Sequence, residues 1–477
     1  MHTIIGRDSE IKRLNDLYHS GNSEFVAICG RRRIGKTFLI RNLFAENLTF
    51  DLAGLANAKT KEQLINFNLT LNRCFKQQLP VTANWLEAFE QLIEQLSASP
   101  QKRKLIFIDE ISWLDTARSN FLMALEHFWN GWACSRSDIM LVVCGSATSW
   151  IINKIINNHG GLHNRLTATL FLQPFNLKET ELFFQSQQME FGRREIAEAY
   201  MIFGGIPYYL SLFEKGKSLS QNVDNLCFTT NSKLKNEFSN LYASLFKNSD
   251  EYVEIVSALS KKNRGLTRNE ILEFTKKESG NELTVILRNL ESCGFIRSYN
   301  ALHKKSRDKL YQLLDAYSLF YFNFLENPNS NDENFWINSL NTPRHNAWAG
   351  HAFESLALQH IREIKQALGI SGIQSGVSAW TNDKKENTSS CQIDLLIDRK
   401  DGVINICEMK FANTPYIISK TYEENLRNKI AVFTYESKTR KAIHLTLVTT
   451  FGIVKNKHSG IVQKEITLDD FFTHNSP

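Results

Sequence analysis

FVAICGRRRIGKT, residues 25–37, decides how the rest of this 477-residue chain is read. Residues 25–29 are a short apolar run that reads as a strand. A tight loop starts at Gly30, and a helix is expected to begin near Thr37. Gly30, Gly35, Lys36 and Thr37 fit the spacing Gly-x-x-x-x-Gly-Lys-Ser/Thr of a phosphate-binding loop. The two glycines let the backbone curl until successive N–H groups point inward at an anion. Lys36 supplies a mobile cation for β- and γ-phosphates, Thr37 a hydroxyl ligand for Mg²⁺, and the helix N-terminus its positive dipole end. Arg33, Ile34 and Phe38 lie in or beside the loop and are expected to border the nucleotide. A glycine turn with a stray basic residue is the plainer alternative, and the flanking strand and amphipathic helix argue against it. The expected ligands are ATP and Mg²⁺.

Length and composition set the frame around this loop. A chain of 477 residues is too long for one core and implies three or four domains. Hydrophobic and charged contents of 42% and 22% are those of a soluble globular protein. The opening MHTIIGRDSE has neither a basic n-region nor an apolar h-region, so no signal peptide is expected. No apolar run approaches the ~20 residues of a membrane helix. The eight cysteines form no Cys-x-x-Cys pair, which disfavours a zinc ribbon or a disulfide framework. A cytoplasmic location and no membrane partner follow as expectations. The net charge of +6 permits nucleic-acid contact without arguing for it.

Working outward from the loop, residues 4–17 read as a turn and an amphipathic helix with Ile11, Leu14 and Leu17 on one side and Asp8 or Ser9 as N-cap. Downstream come a helix (37–46), a strand (48–53) and polar helical sequence (60–96). KLIFIDE, residues 104–110, is a fully apolar strand suited to the centre of a parallel sheet. It delivers Asp109 and Glu110 at its carboxyl end, where open α/β sheets bind ligands. Asp109 is expected to hold the Mg²⁺ water shell opposite Thr37, and Glu110 to polarise the attacking water. Two solvated acids at a strand end are the alternative. A third apolar run, IMLVVCGSATSW (139–150), presents Ser146, either a γ-phosphate sensor or a strand-end cap. Arg165 precedes a further strand (166–172) and reads equally as an arginine finger or as a solvated surface residue.

Residues 176–248 are helical in pattern and contain GGIPYYL, 204–210. GRRRIGKT, LIFIDE, GSATSW and GGIPYYL, in that order and spacing, resemble the archaeal-type ATPases of the STAND class, as does Gly6-Arg7-x-x-Glu10 near the start. The resemblance implies that Gly205 and Pro207 lie in a helical lid with Pro207 near the adenine; a helix break between packed helices is the alternative. Residues 249–325 have the pattern of a winged helix. Thr267 and Glu270 form a capping box there, and residues 297–309 carry five Lys/Arg against one acid, which suits phosphate contacts. The run YSLFYFNFL (317–325) reads as buried helix, and 326–342 as a linker.

The last 135 residues pose a separate question. CQIDLLIDRKDGVINICEMKFA, residues 391–412, reads as two β-runs around the turn Lys400-Asp401-Gly402. In that register Asp394 lies opposite Glu408, and Lys410 shares a face with Glu408. Two carboxylates and an ammonium then converge, suited to Mg²⁺ and water activation. With Glu354 on the preceding helix they resemble the PD-(D/E)xK core of restriction-endonuclease-like enzymes, although Ile393 stands where the motif has proline. The resemblance implies catalytic roles for Asp394, Glu408 and Lys410 and metal-ligand roles for Glu354, Asp394 and Glu408. A surface hairpin with alternating charges is the alternative.

The fold class expected is therefore α/β multidomain: a P-loop ATPase parallel sheet (1–175), a helical lid (176–248), a winged helix (249–325), a linker (326–342) and a nuclease-like mixed α/β domain (343–477). The leading functional expectation is ATP-controlled, Mg²⁺-dependent DNA binding or cleavage. The competing one is a STAND-type switch, in which ATP drives homo-oligomerisation and the C-terminal domain only binds DNA or protein.

Overall fold

The computed structural model describes residues 3–146, 148–157, 160–276, 280–300, 309–326, 332–382 and 391–473. The chain divides into two compact units, Met1–Pro174 and Phe175–Pro477.

The first unit is built on a five-stranded parallel sheet in the order β2-β3-β4-β1-β5. Its strands are β1 (Glu24–Cys29), β2 (Leu48–Ala53), β3 (Lys104–Asp109), β4 (Ile139–Cys144) and β5 (Ala168–Phe171). β1, β3 and β4 are buried along their whole length, which explains the apolar runs 25–29, 105–108 and 139–144. The polar stretch after β2 folds as two helices, Thr60–Phe75 and Trp85–Ala98, the second capped by Asn84 accepting from the Glu87 N–H at 3.0 Å. Phe67, Trp85, Phe89 and Leu92 are the face they bury against the sheet. The phosphate-loop sequence connects β1 to the Lys36–Leu43 helix; β4 and β5 flank β1, with Ile28 beside Cys144 and Leu170, and β3 lies beyond β4, Ile108 beside Val143.

The second unit starts with helices, among them Leu177–Ser186, Arg193–Phe203, Pro207–Leu210 and Leu219–Cys227. A small antiparallel sheet, β6 (Leu266–Thr267), β7 (Ile296–Tyr299) and β8 (Leu310–Leu313), then packs with the Arg268–Thr275 and Asn281–Ser292 helices. The capping box forms: Thr267 N–H donates to Glu270 Oε2 at 2.8 Å and Glu270 N–H to Thr267 Oγ1 at 3.3 Å. Residues 301–308, most of the expected basic wing, lie outside the described residues. Arg297 is not turned out for phosphate; it stacks over the Tyr299 ring at 4.6 Å and its Nε donates to Gln312 Oε1 at 2.7 Å.

Where a linker was expected, residues 332–342 contain the Phe335–Ser339 helix, while 327–331 lie outside the described residues. Trp336 is fully buried among Phe320, Phe324 and Trp348, and its N–H donates to Asp224 Oδ1 at 2.7 Å. A polar composition therefore hid one anchoring tryptophan. The C-terminal sheet is mixed, in the order β13-β12-β11-β10-β9. β9 (Ser375–Thr381), β10 (Gln392–Arg399) and β11 (Val403–Lys410) are antiparallel; β12 (Ala442–Thr449) and β13 (Lys464–Thr467) run parallel to β11. Gly402 makes the β10–β11 turn with φ of 87°. Among the described residues, no helix is long and apolar enough to cross a membrane.

Candidate active site

All five strands of the first unit's sheet run the same way, so their carboxyl ends, with the loops that follow them, share one edge. The loop after β1 curls tightly. Gly30 has φ of 144°, and a Cβ there would meet Leu172 O at 2.6 Å and Ile34 Cδ1 at 2.5 Å. Gly35, at φ of 88°, opens the helix, which begins at Lys36. Lys36 is buried, with Nζ donating to Gly30 O at 2.7 Å and Arg31 O at 2.9 Å. Burial lowers its pKa from 10.5, against the opposing pull of the Cys144, Glu110 and Asp109 groups. Ile34 is buried and its carbonyl accepts from Arg7 Nη2 at 3.4 Å, whereas Phe38 is exposed. Arg33 stands at φ of 71°, part of the same tight curl.

Asp109 ends β3 directly beside this loop. Its Oδ2 accepts from Thr37 Oγ1 at 2.7 Å, and its Oδ1 from Cys144 Sγ at 2.8 Å and Glu110 N–H at 2.9 Å. Glu110 sits in the left-handed region at φ of 47°, a backbone arrangement that costs about 1–3 kcal/mol and has to be held by its surroundings. Ser146 holds it: its N–H and Oγ donate to Glu110 Oε2 at 3.0 and 2.9 Å. Loop, acid pair and Ser146 thus form one hydrogen-bonded cluster. The structure also enlists two groups given no role in the sequence reading. Cys144 orients Asp109, and Thr148 Oγ1 donates to Gly30 O at 3.2 Å. Each follows from β4 lying between β3 and β1, a neighbour relation no local motif encodes. Arg165 is exposed on the segment before β5.

Residues 4–213 match the family described as an ATPase domain predominantly from Archaea. Over these residues the chain is similar to P-loop ATPase domains in sequence and fold. An uncharacterized protein of Methanocaldococcus jannaschii is 26% identical over 373 residues, covering 76% of this chain and 78% of its own. In fold, the chain is similar to the Walker-type ATPase PABY2304 of Pyrococcus abyssi, with a TM-score of 0.52 at 17% identity over 67% of this chain and 96% of that one. The Aeropyrum pernix ORC2 protein is a more distant likeness, with a TM-score of 0.41 at 14% identity over 66% of this chain and 92% of that one.

The donor set of the ATPase domain suits a nucleotide and its cation: a glycine cradle that a Cβ would fill, a buried ammonium, and a hydroxyl hydrogen-bonded to a carboxylate. Within the second unit, Pro207 opens the Pro207–Leu210 helix after Gly204 and Gly205, both at positive φ. A Cβ on Gly205 would lie 2.2 Å from Phe175 O, so this glycine serves close packing.

The C-terminal carboxylates behave differently. Leu396 and Ile406 pair across the hairpin and both pack with Leu426 and Phe433 of the Lys420–Ser437 helix. Continuing along β11, Glu408 faces the same helix and is ion-paired to Lys429, while Lys410 Nζ lies 5.1 Å from the Tyr422 ring centre. On β10, strict alternation would bring Asp394 to that face too. It does not, because the β9–β10 register shifts between Ile393 and Leu396, and Ile393 takes the place against the helix. Asp394 instead accepts from Gln392, and its charge is felt by His351, Arg297 and Tyr299. The groups that feel Glu408 are others: Tyr416, Tyr422, Cys391 and Cys407. Glu354 lies 3.5 Å from His351 Nδ1 and, ahead of Asp394, raises that imidazole's pKa. Among the described residues, no three His, Cys, Asp or Glu side chains form a group able to hold a metal. The expected convergence of Glu354, Asp394 and Glu408 on one ion is therefore corrected. As placed, these three carboxylates do not fit a shared metal ion.

Proposed function

We propose that the protein is an ATP-binding and ATP-hydrolysing switch whose C-terminal sheet is a docking module rather than a nuclease. The 2.7 Å bond between Thr37 and Asp109 carries this reading, because it ties the phosphate loop to the acid pair of β3. Lys36 would hold the β- and γ-phosphates after exchanging its two loop carbonyls for them, and Thr37 and Asp109 would hold Mg²⁺. Mg²⁺ supplies charge neutralisation for the phosphates being separated. Glu110 would orient the attacking water and take its proton once Ser146 releases it. Pro207 is assigned to the adenine and Arg165 to the transferred phosphate of its own or a neighbouring subunit's nucleotide. ATP-dependent homo-oligomerisation and DNA binding belong to the same reading.

Purified protein incubated with ATP and Mg²⁺ should release phosphate slowly and change size on nucleotide binding, measured by mass photometry. Absence of both ATP binding and a size change would sink the switch. DNA cleavage is the competing reading. The β10–β11 hairpin and the shared face of Glu408 and Lys410 favour it; the Lys429 pairing and the divergence of Asp394 oppose it. Mg²⁺-dependent plasmid cutting that disappears in Lys410→Ala would establish it instead.

A further inference from the structure

We propose that a cavity in the second unit is a binding site for a small oxyanion, a phosphate or carboxylate carried on a molecule with a neighbouring hydroxyl or amino group. The cavity has a volume of about 310 Å³ and is bordered by the Arg193–Phe203 helix, the start of the Leu219–Cys227 helix, Asn341, His345 and Asn413. That volume is at the lower end of the range for small-molecule sites.

Three observations point to a ligand. His345 is 4% exposed and its Nε2 has no hydrogen-bond partner. Leaving a buried ring nitrogen unpaired costs about 1–3 kcal/mol, so the position is built for a partner that binds. The nearest carboxylate oxygen, Glu198 Oε1, is 4.0 Å away, beyond hydrogen-bonding distance. The second observation is Arg194, which lines the cavity and has a buried, unpartnered Nε. Its guanidinium is nevertheless fixed: Nη2 donates to Asn413 Oδ1 at 2.6 Å, and Nη1 lies 3.6 Å from Glu198 Oε2. The donor is thus pre-oriented at no further entropic cost. The third is the nine-residue Leu219–Cys227 helix, whose first turn faces the cavity. Ser218 Oγ caps the Gln221 N–H at 3.2 Å, which leaves the earlier first-turn amides and the Ser220 hydroxyl for a ligand.

Arg194 and the amide end of the Leu219–Cys227 helix supply donors that select an oxyanion, and His345 Nε2 joins them when it carries the ring proton. Glu198 beside Arg194 offers an acceptor for a hydroxyl or ammonium on the same molecule. A bare divalent cation is a poor fit, since no three metal-ligating side chains group together among the described residues. The bordering segments include the helical layer, the stretch that follows the Trp336 anchor, and the loop after β11. A bound molecule would therefore tie the C-terminal sheet to the helices before it, which is the position of an effector.

Full-length protein carrying Lys36→Ala provides the test, because its phosphate loop no longer competes for anions. Inorganic phosphate and lactate are titrated separately while the His345 imidazole signal is followed by NMR, assigned with His345→Gln. The expected result is a saturable shift with Kd on the order of 1 mM. Arg194→Gln and Ser220→Asp should each weaken it at least about tenfold, a loss of ~1.4 kcal/mol; Ser220→Asp should do so with the probe-free melting temperature unchanged, and Arg194→Gln with the protein still folded at the temperature of the titration. The tighter of the two probes tells phosphate from carboxylate recognition. A His345 signal unmoved by either probe, or moved equally in both variants, overturns the proposal.

Discussion

Asp109 and Asp394 are both acids near the end of a β-strand, and they meet opposite fates. Asp109 ends a parallel strand between two parallel neighbours, so two other chain segments reach it at the same edge and, with the N–H of Glu110, grip both its oxygens. Asp394 lies in an antiparallel hairpin, just beyond the Leu395–Cys407 pair with β11, where one irregularity of register turns it to the other face. Convergence in a parallel sheet is a property of strand direction and survives small irregularities. Convergence across a hairpin depends on side-chain alternation, and a single bulge cancels it.

The largest effect should come from the gripped site. Lys36→Ala is expected to lose ATP binding by a factor on the order of 10³, measured by calorimetry, because the loop's buried cation goes with it. Retained affinity would mean that the cluster is structural. Glu110→Gln should bind ATP normally and turn it over about 10²-fold more slowly, measured by phosphate release. Next, Gly30→Ala should destabilise the first unit by at least about 1–3 kcal/mol, since its backbone sits at φ of 144° against Leu172 O. A melting curve equal to that of the parent chain would contradict the cradle geometry.

The C-terminal side of the comparison predicts smaller changes. Glu408→Ala removes the partner of a half-buried lysine and should cost about 1–3 kcal/mol of stability, measured by thermal melting. Lys429→Met in the same background should recover part of that cost, because no unpaired ammonium is left behind. The smallest expected effect is on pH dependence. Burial lowers the pKa of His360 from 6.5, with Glu363 and the Leu356 carbonyl opposing. The neutral ring accepts from the Leu177 N–H at 3.2 Å through Nε2, and its Nδ1 lies 2.8 Å from Leu356 O. Its contribution is fully present above pH 6.5 and is lost as pH falls from there toward the folded-state value, because the unfolded chain takes up the proton first. Thermal melts between pH 5 and 8 should therefore flatten in His360→Gln; an unchanged slope would assign the acid sensitivity elsewhere.

Much of the ATPase site was legible because its parts are contiguous in the chain. Gly30 to Thr37 is one loop, Asp109 and Glu110 are adjacent, and an unbroken apolar strand marks where each begins. What stayed hidden were groups joined only by strand neighbourhood, such as Cys144 on Asp109 and Thr148 on Gly30. Trp336 was missed for a related reason: its pocket is made by Phe320, Phe324 and Trp348, distributed over three elements. The Lys429–Glu408 pair spans 21 positions and has no signature at all.

Local chemistry, written residue by residue, determined the phosphate loop, the strand that presents Asp109 and Glu110, the Thr267 capping box and the Gly402 turn. These depend on φ preference, hydrogen-bonding reach and periodicity over a few positions. Tertiary structure alone decided which acids share a neighbourhood, which lysine reaches Glu408, and where a buried imidazole is left facing a cavity. Those outcomes depend on register and packing between segments far apart in the chain, where one displaced residue outweighs any local preference.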